Sequence, residues 1–211
     1  MLQIKSFTFN PFQENTYIIY NENKNCWIID PGMYSEEEHN IFNKYISDNN
    51  LKPIQIINTH GHIDHIFGVN AVKEKYNIPF GLHKEDEPII KNASFSASLF
   101  GLQFREKIEI DFYINEENKI LDNDSIQISH VPGHSPGSVS LFYPKREWLI
   151  GGDVLFQGSI GRTDLPGGDF DTLINSIKKK LFILPNETIV YSGHGPATTI
   201  AMEKQYNPFL Q

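Results

Sequence analysis

The chain has 211 residues and one cysteine, Cys26, so no internal disulfide can form, which fits a reducing compartment. No apolar run approaches the roughly 18 residues that a membrane-spanning helix needs. Met1 to Lys5 lead straight into alternating apolar residues. They lack the basic start, long apolar centre and small-residue cleavage site of a secretion signal, so the expected location is the cytoplasm. Basic residues are scarce: 18 Lys and Arg against 26 Asp and Glu give a net charge of −8, which argues against a nucleic-acid backbone as the main ligand. There is no Gly-x-Ser-x-Gly elbow, since Gly137-Ser138 lacks that arrangement, and Cys26 falls inside an apolar stretch. Linkers, repeats and low-complexity tracts are also missing. With 39% apolar and 21% charged residues, the expectation is one soluble globular domain over residues 1–211.

Histidine beside glycine or aspartate is what the chain does have. The run Thr59-His60-Gly61-His62-Ile63-Asp64-His65 follows an apolar stretch, and three more donors arrive singly. These are His134 after Pro132-Gly133, Asp153 after Gly151-Gly152, and His194 between Gly193 and Gly195. His60 and His62 are two apart, so on an extended segment they point to one side. Asp64 and His65 are adjacent and can diverge as the chain turns. One tetrahedral ion takes about four ligands. Five imidazoles and two carboxylates are too many for one ion and suit two, provided one group bridges; a carboxylate can bridge and a neutral imidazole cannot. Two divalent ions are therefore expected, with zinc the first choice and iron or manganese also compatible with His/Asp donors. Set against Asp64, Asp153 and one bound hydroxide, two such ions leave a local positive excess that welcomes an anionic substrate on an otherwise acidic protein.

The element pattern is layered α/β or α+β. Alternation and β-branching predict strands over Leu2–Phe9, Thr16–Tyr20 and Cys26–Ile29, the last ending in the turn Asp30-Pro31-Gly32. Ser35 and Glu38 form a capping box that opens a helix reaching about Asn49, with Ile41, Phe42, Tyr45 and Ile46 as its apolar face. Pro53–Ile57 is a strand with the donor run at its C-terminal end, where α/β folds place their sites. Helices are expected over Ile66–Tyr76, Phe170–Phe182 and Thr199–Tyr206. Further strands are expected over Pro79–His83, Ile108–Ile114, Ser125–Val131, Ser138–Tyr143, Trp148–Ile150 and Thr188–Tyr191. Glu85–Phe104 reads as a helix followed by a loop. Its aromatics Phe95, Phe100 and Phe104 are read as core in preference to a lid.

The run from Thr59 to His65 resembles the T-H-x-H-x-D-H signature of the metallo-β-lactamase superfamily. His134, Asp153 and His194 match that superfamily's remaining ligand motifs in order, and Asp30 matches its first. The resemblance spans roughly Asn15 to Pro196. Within it, Gly151–Gly168 is most similar to the hydroxyacylglutathione hydrolase (glyoxalase II) group and its single-domain relatives. The string Gly161-Arg162-Thr163-Asp164 is shared with the persulfide dioxygenases. The resemblance implies a four-layer αββα sandwich. It assigns His60, His62 and His134 to one ion, Asp64, His65 and His194 to the other, and Asp153 to both. Asp30 is expected to orient the ligands from behind them, with a turn-forming role before Pro31 as the alternative.

The implied activity is that of a dinuclear metal-dependent hydrolase, a glyoxalase II-like thioesterase cleaving an S-(2-hydroxyacyl) thiol. Its nucleophile would be a metal-bound hydroxide held through Asp64 and Asp153. A mononuclear iron persulfide dioxygenase using His60, His134 and Asp153 is the alternative, and a lactonase or other hydrolase of the same fold comes third. The expected partner is a small thioester or related anion, with no nucleic acid and no membrane. Arg162 takes the place of a lysine that contacts glutathione in glyoxalase II, while Asp164 replaces a tyrosine. Arg162 is thus a candidate substrate contact, or else a loop brace paired with Asp164 or Asp169. After His194 there is room for one helix and not for the C-terminal helical extension of full-length glyoxalase II, so recognition of the thiol is expected to differ.

Overall fold

The structure is a computed structural model that describes residues 1–104, 106–117 and 126–211. The chain divides into two compact units, Met1–Ile114 and Asn115–Gln211.

The first unit is built on a six-stranded sheet whose spatial order follows the chain. Strands β1 (Gln3–Phe9), β2 (Glu14–Tyr20) and β3 (Asn25–Ile29) form an antiparallel meander. Helix α1 (Glu36–Asp48) then returns the chain to β4 (Lys52–Ile57), which lies parallel to β3. The expected capping box is present: Ser35 Oγ accepts the Glu38 N–H and Glu38 Oε2 accepts the Ser35 N–H. Phe42 and Ile46 are the buried face of α1, whereas Ile41 is exposed, because the helix buries a narrower stripe than its apolar residues suggest. Helix α2 (Val69–Tyr76) stops at Asn77, which takes the left-handed conformation that ends helices, and leads into β5 (Phe80–His83). Two short helices follow, α3 (Glu87–Lys91) and α4 (Ala93–Leu99), and then β6 (Phe112–Ile114). Strands β4, β5 and β6 are mutually parallel. The core below the sheet is formed by Ile18, Ile28, Ile56, Phe42, Phe80 and their neighbours. Truncating one of these isoleucines to alanine costs about 2–5 kcal/mol.

Two expectations are corrected in this unit. Only the last three residues of Ile108–Ile114 form a strand: Asp111, just before it, accepts the Phe80 N–H at 2.7 Å and an ion pair from Lys73 at 2.6 Å instead. Of the aromatics assigned to the core, Phe104 is buried, but Phe95 and Phe100 are exposed. They lie on and beside α4, a helix too short to bury more than Ala93 and Ala97.

The second unit carries a five-stranded sheet in the order β13-β12-β9-β8-β7. Strand β7 (Gln127–His130) pairs antiparallel with β8 (Val139–Tyr143), and β8 pairs antiparallel with β9 (Trp148–Gly152). Ser125, at the start of the strand expected there, lies outside the described residues. The strands β8 and β9 are buried along their whole length, and so they read as continuous apolar runs. A small hairpin, β10 (Leu155–Phe156) and β11 (Ser159–Ile160), was not legible beforehand, since two-residue strands carry no period. Helix α5 (Phe170–Ser176) continues into a π-helical turn, Ile177–Leu181, rather than running as one α-helix to Phe182. Strand β12 (Ile189–Ser192) runs parallel to β9, and β13 (Thr198–Thr199) and α6 (Ile200–Tyr206) close the chain. Among the described residues, no helix is long and apolar enough to cross a membrane.

Candidate metal centre

In the first unit the site grows from the C-terminal ends of three adjacent parallel strands, β3, β4 and β5. Asp30 follows β3, the donor run follows β4, and Asp86 follows β5. Asp30 is fully buried and takes a positive φ of 50°. Its Oδ1 accepts the Thr59 N–H at 2.6 Å, and its Oδ2 accepts the Thr59 hydroxyl at 2.6 Å. The same Oδ2 lies 3.0 Å from His65 Nδ1. The orienting role expected of Asp30 therefore has a specific geometry.

The hydrogen-bond partners also assign the imidazole tautomers. A carboxylate only accepts, so His65 bears its proton on Nδ1 and directs the Nε2 lone pair away from Asp30. Thr59 gives its proton to Asp30, so its oxygen, 3.1 Å from His60 Nδ1, receives a proton from that ring. His60 is thus also left with a lone pair on Nε2. The rings of His60 and His65 lie 4.1 Å apart between centroids, and those of His60 and His62 lie 4.8 Å apart at 89°. Asp64 Oδ2 is 3.9 Å from His65 Nε2. Two donors on one tetrahedral ion at ordinary Zn–N lengths stand about 3.3–3.4 Å apart, so these atoms are near the spacing that a shared cation draws in.

The backbone of the run is clasped by groups that the sequence did not single out. Asn58 Nδ2 donates to the His65 carbonyl at 2.8 Å and the His60 carbonyl at 3.4 Å. Asn10 Nδ2 donates to the carbonyls of Asp64 at 3.0 Å and Gly32 at 2.8 Å. Beneath them sits Glu14, fully buried, with Oε1 3.9 Å from His65 Nδ1. Burial holds the Glu14 carboxyl well above the usual carboxylate range. The Thr16 hydroxyl donates to Glu14 Oε2 at 2.9 Å, lies 2.8 Å from the Asp30 carbonyl and receives the Gly32 N–H at 2.9 Å. A Cβ at Gly32 would meet Glu14 Oε2 at 2.0 Å, so only glycine passes over this carboxyl.

In the second unit the register of the sheet makes the site. Strands β9 and β12 are parallel neighbours, and Gly193 N–H donates to the Gly152 carbonyl at 2.8 Å just beyond their ends. The next residue on each chain is a donor, so Asp153 and His194 come out side by side. His194 Nε2 lies 3.5 Å from Asp153 Oδ2. His134 arrives from the turn after β7, its Nδ1 2.9 Å from the Arg162 carbonyl, which fixes the proton there and frees Nε2. That Nε2 is 3.7 Å from the same Asp153 oxygen. One carboxylate oxygen thus faces two imidazole nitrogens, at 3.5 and 3.7 Å. Gly133, with φ 130°, makes the turn possible, because a Cβ there would meet the Leu173 backbone nitrogen at 2.3 Å.

Other candidates are used elsewhere. The Arg162 side chain is exposed and makes two 2.7 Å bonds to Asp164, which holds the Asp164 carboxyl down at about 2. What Arg162 contributes to the donors is its backbone carbonyl. His130 Nε2 closes its own turn on the Pro136 carbonyl at 2.7 Å. Cys26 is buried, and burial pushes its thiol up to about 12, so it is no nucleophile at neutral pH. The donor set therefore fits divalent metal, with ring protons held by oxygen acceptors behind the ligands, as metal-binding histidines require.

Comparisons with known proteins agree with this chemistry. The model of the metallo-beta-lactamase superfamily matches residues 9–194. The chain is 42% identical to the probable metallo-hydrolase YqgX of Bacillus subtilis (strain 168), over 95% of this chain and 93% of that protein. It is 38% identical to the hydroxyacylglutathione hydrolase GloC of Haemophilus influenzae (strain ATCC 51907 / DSM 11121 / KW20 / Rd), over 99% and 98%. Among solved structures, BLEG-1 B3 metallo-beta-lactamase superposes with a TM-score of 0.90 at 40% identity, covering 99% of this chain and 100% of that one. TTHA1623 in a di-iron-bound form gives a TM-score of 0.88 at 37% identity, covering 98% and 100%. The fold is the expected metallo-β-lactamase fold, and the chain belongs to the metallo-β-lactamase superfamily as a metal-dependent hydrolase.

Proposed function

We propose that the protein hydrolyses a small S-(2-hydroxyacyl) thiol. In this reading His60, His62 and His134 would hold one divalent ion, Asp64, His65 and His194 would hold a second, and Asp153 would serve both. The carrying observation is the 38% identity, over nearly the full length of both chains, with a hydroxyacylglutathione hydrolase. It is joined by a donor set that leaves no role for a side-chain nucleophile, with Cys26 buried and its thiol pushed up. Bound divalent ions lower the pKa of water toward about 7 and polarise a carbonyl. The residues themselves do the positioning. Asp30 and Thr59 hold the His65 and His60 rings, the Arg162 carbonyl holds His134, and the Gly152–Gly193 bond keeps Asp153 beside His194. A thiolate is a good leaving group, so no dedicated general acid is required. Zinc is the metal proposed; the di-iron form of TTHA1623 makes iron the rival.

A second reading is β-lactam hydrolysis, favoured by the 40% identity with BLEG-1. The deciding experiment is elemental analysis of the purified protein, followed by assays on S-lactoylglutathione, a lactone, a β-lactam and a glutathione persulfide. The expected result is about two ions per chain and release of free thiol without oxygen uptake. Turnover of the β-lactam alone replaces the thioester reading with the second one. One iron per chain with oxygen consumed on the persulfide makes the protein a dioxygenase.

A further inference from the structure

We propose that Asp86 is a positioning residue for the metal centre: its buried carboxylate grips the peptide N–H of Gly61 and so fixes the turn that presents His60 and His62. The inference rests on the reading of those two histidines as ligands.

Asp86 lies where an aspartate ordinarily serves its own helix. It is the N-cap residue of α3, a position where the carboxylate usually accepts a free N–H of the first turn. Its side chain makes no such cap bond. Instead Oδ2 reaches across 25 positions of sequence to accept the Gly61 N–H at 2.8 Å. Asp86 is fully buried, and a carboxylate that deep is costly unless charge-assisted hydrogen bonds satisfy it. Gly61 gains as much, since its N–H belongs to a loop with no strand or helix ladder to take it.

The consequence falls on the ligands because of where Gly61 stands. It is the single residue between His60 and His62. Holding its N–H fixes the peptide plane leaving His60, and with it the rotation that sets the two rings 89° apart at 4.8 Å. The turn also lies flat on the segment that carries Asp86. A Cβ on Gly61 would meet the Asp86 carbonyl oxygen at 3.3 Å, and the Asp86 Cβ and Ile90 Cγ1 at 3.4 Å. That segment is firm, with Pro88 in the first turn of α3 and Ile90 buried. Asp30 and Asn58 hold the run at Thr59, His60 and His65. Asp86 holds it between the two histidines assigned to one ion.

The test compares Asp86→Asn, which keeps an oxygen acceptor of the same reach, with Asp86→Ala, which has none. Zinc stoichiometry and affinity are measured on the purified protein by competition with a chromophoric chelator. The Gly61 amide is followed by NMR in the metal-free protein. We expect two ions in the wild type and a loss of about 10–100-fold in affinity for one of them in the alanine variant, as for other groups that orient ligands. The asparagine variant should recover most of that affinity, and the downfield Gly61 amide shift should be lost only in the alanine variant. Should Asp86→Ala fail to fold, Asp86→Ser, too short to reach Gly61, is measured in its place. Two ions bound with wild-type affinity by the folded alanine or serine variant overturn the role of Asp86. A wild type that binds no metal overturns the ligand reading itself, and the Asp86 proposal with it.

Discussion

The two units assemble their donors in opposite ways. In the first, His60, His62, Asp64 and His65 come from one short run, and the structure holds that run from outside through Asn10, Asp30, Asn58 and Asp86. In the second, His134, Asp153 and His194 arrive one at a time from three turns, and backbone groups and strand register help to place them. His134 leans on a backbone carbonyl, and Asp153 and His194 are set beside each other by the register of β9 and β12. The difference has a physical cause. Successive donors on one strand end share a backbone, so their relative directions follow from a few dihedrals that need fixing. Donors on neighbouring strands inherit their spacing from the ladder, which is already fixed.

The sharpest way to break this comparison is at the carboxylates. Asp153→Ala should remove at least one ion and reduce hydrolysis by about 10³-fold or more, since metal stabilisation amounts to several kcal/mol and each 1.36 kcal/mol is a decade. Asp64→Ala should cost one ion and a smaller factor, and equal losses in metal content and rate would refute the bridging role of Asp153. Next comes Asp30→Asn, which places an amide where Thr59 N–H, Thr59 O–H and His65 N–H all need an acceptor. Metal affinity should fall about 10–100-fold, a loss that competition against a chelator would show.

Glu14→Gln is subtler and depends on pH. A folded-state pKa raised by burial means that Glu14 stabilises the fold fully below its unfolded value of about 4.3, and that this contribution is lost as pH rises above it. The metal-free glutamine variant should match the wild type near pH 4 and become the more stable of the two toward neutrality. Urea midpoints measured across that range check this, and a difference independent of pH would contradict a carboxyl held high by burial. The smallest effect is expected from Arg162→Ala. Its carbonyl stays in place and its ion pair with Asp164 is exposed, so metal content and Tm should not change. A lost ion would show that the side chain, and not the backbone, supports His134.

Much of this was legible beforehand. The capping box at Ser35, the strands β1 to β4 and the buried runs of β8 and β9 follow from periodicity and from side chains that act locally. Segments whose structure is decided by contacts distant in sequence were misjudged. Phe95 and Phe100 have the same chemistry as Phe104, and only packing separates the exposed pair from the buried one. Asp111 interrupts an apolar stretch because Lys73 and the Phe80 N–H claim it.

The sequence by itself singled out seven candidate donors, because metal chemistry restricts which side chains can serve and glycine turns mark where they would be presented. Tertiary structure decided which nitrogen of His60, His65 and His134 is left to bind, and which buried groups hold the backbone between the ligands. Asn10, Glu14, Asn58 and Asp86 carry no motif, and their roles exist only because the β1–β2 connection and the ends of parallel strands bring distant residues within reach of the run.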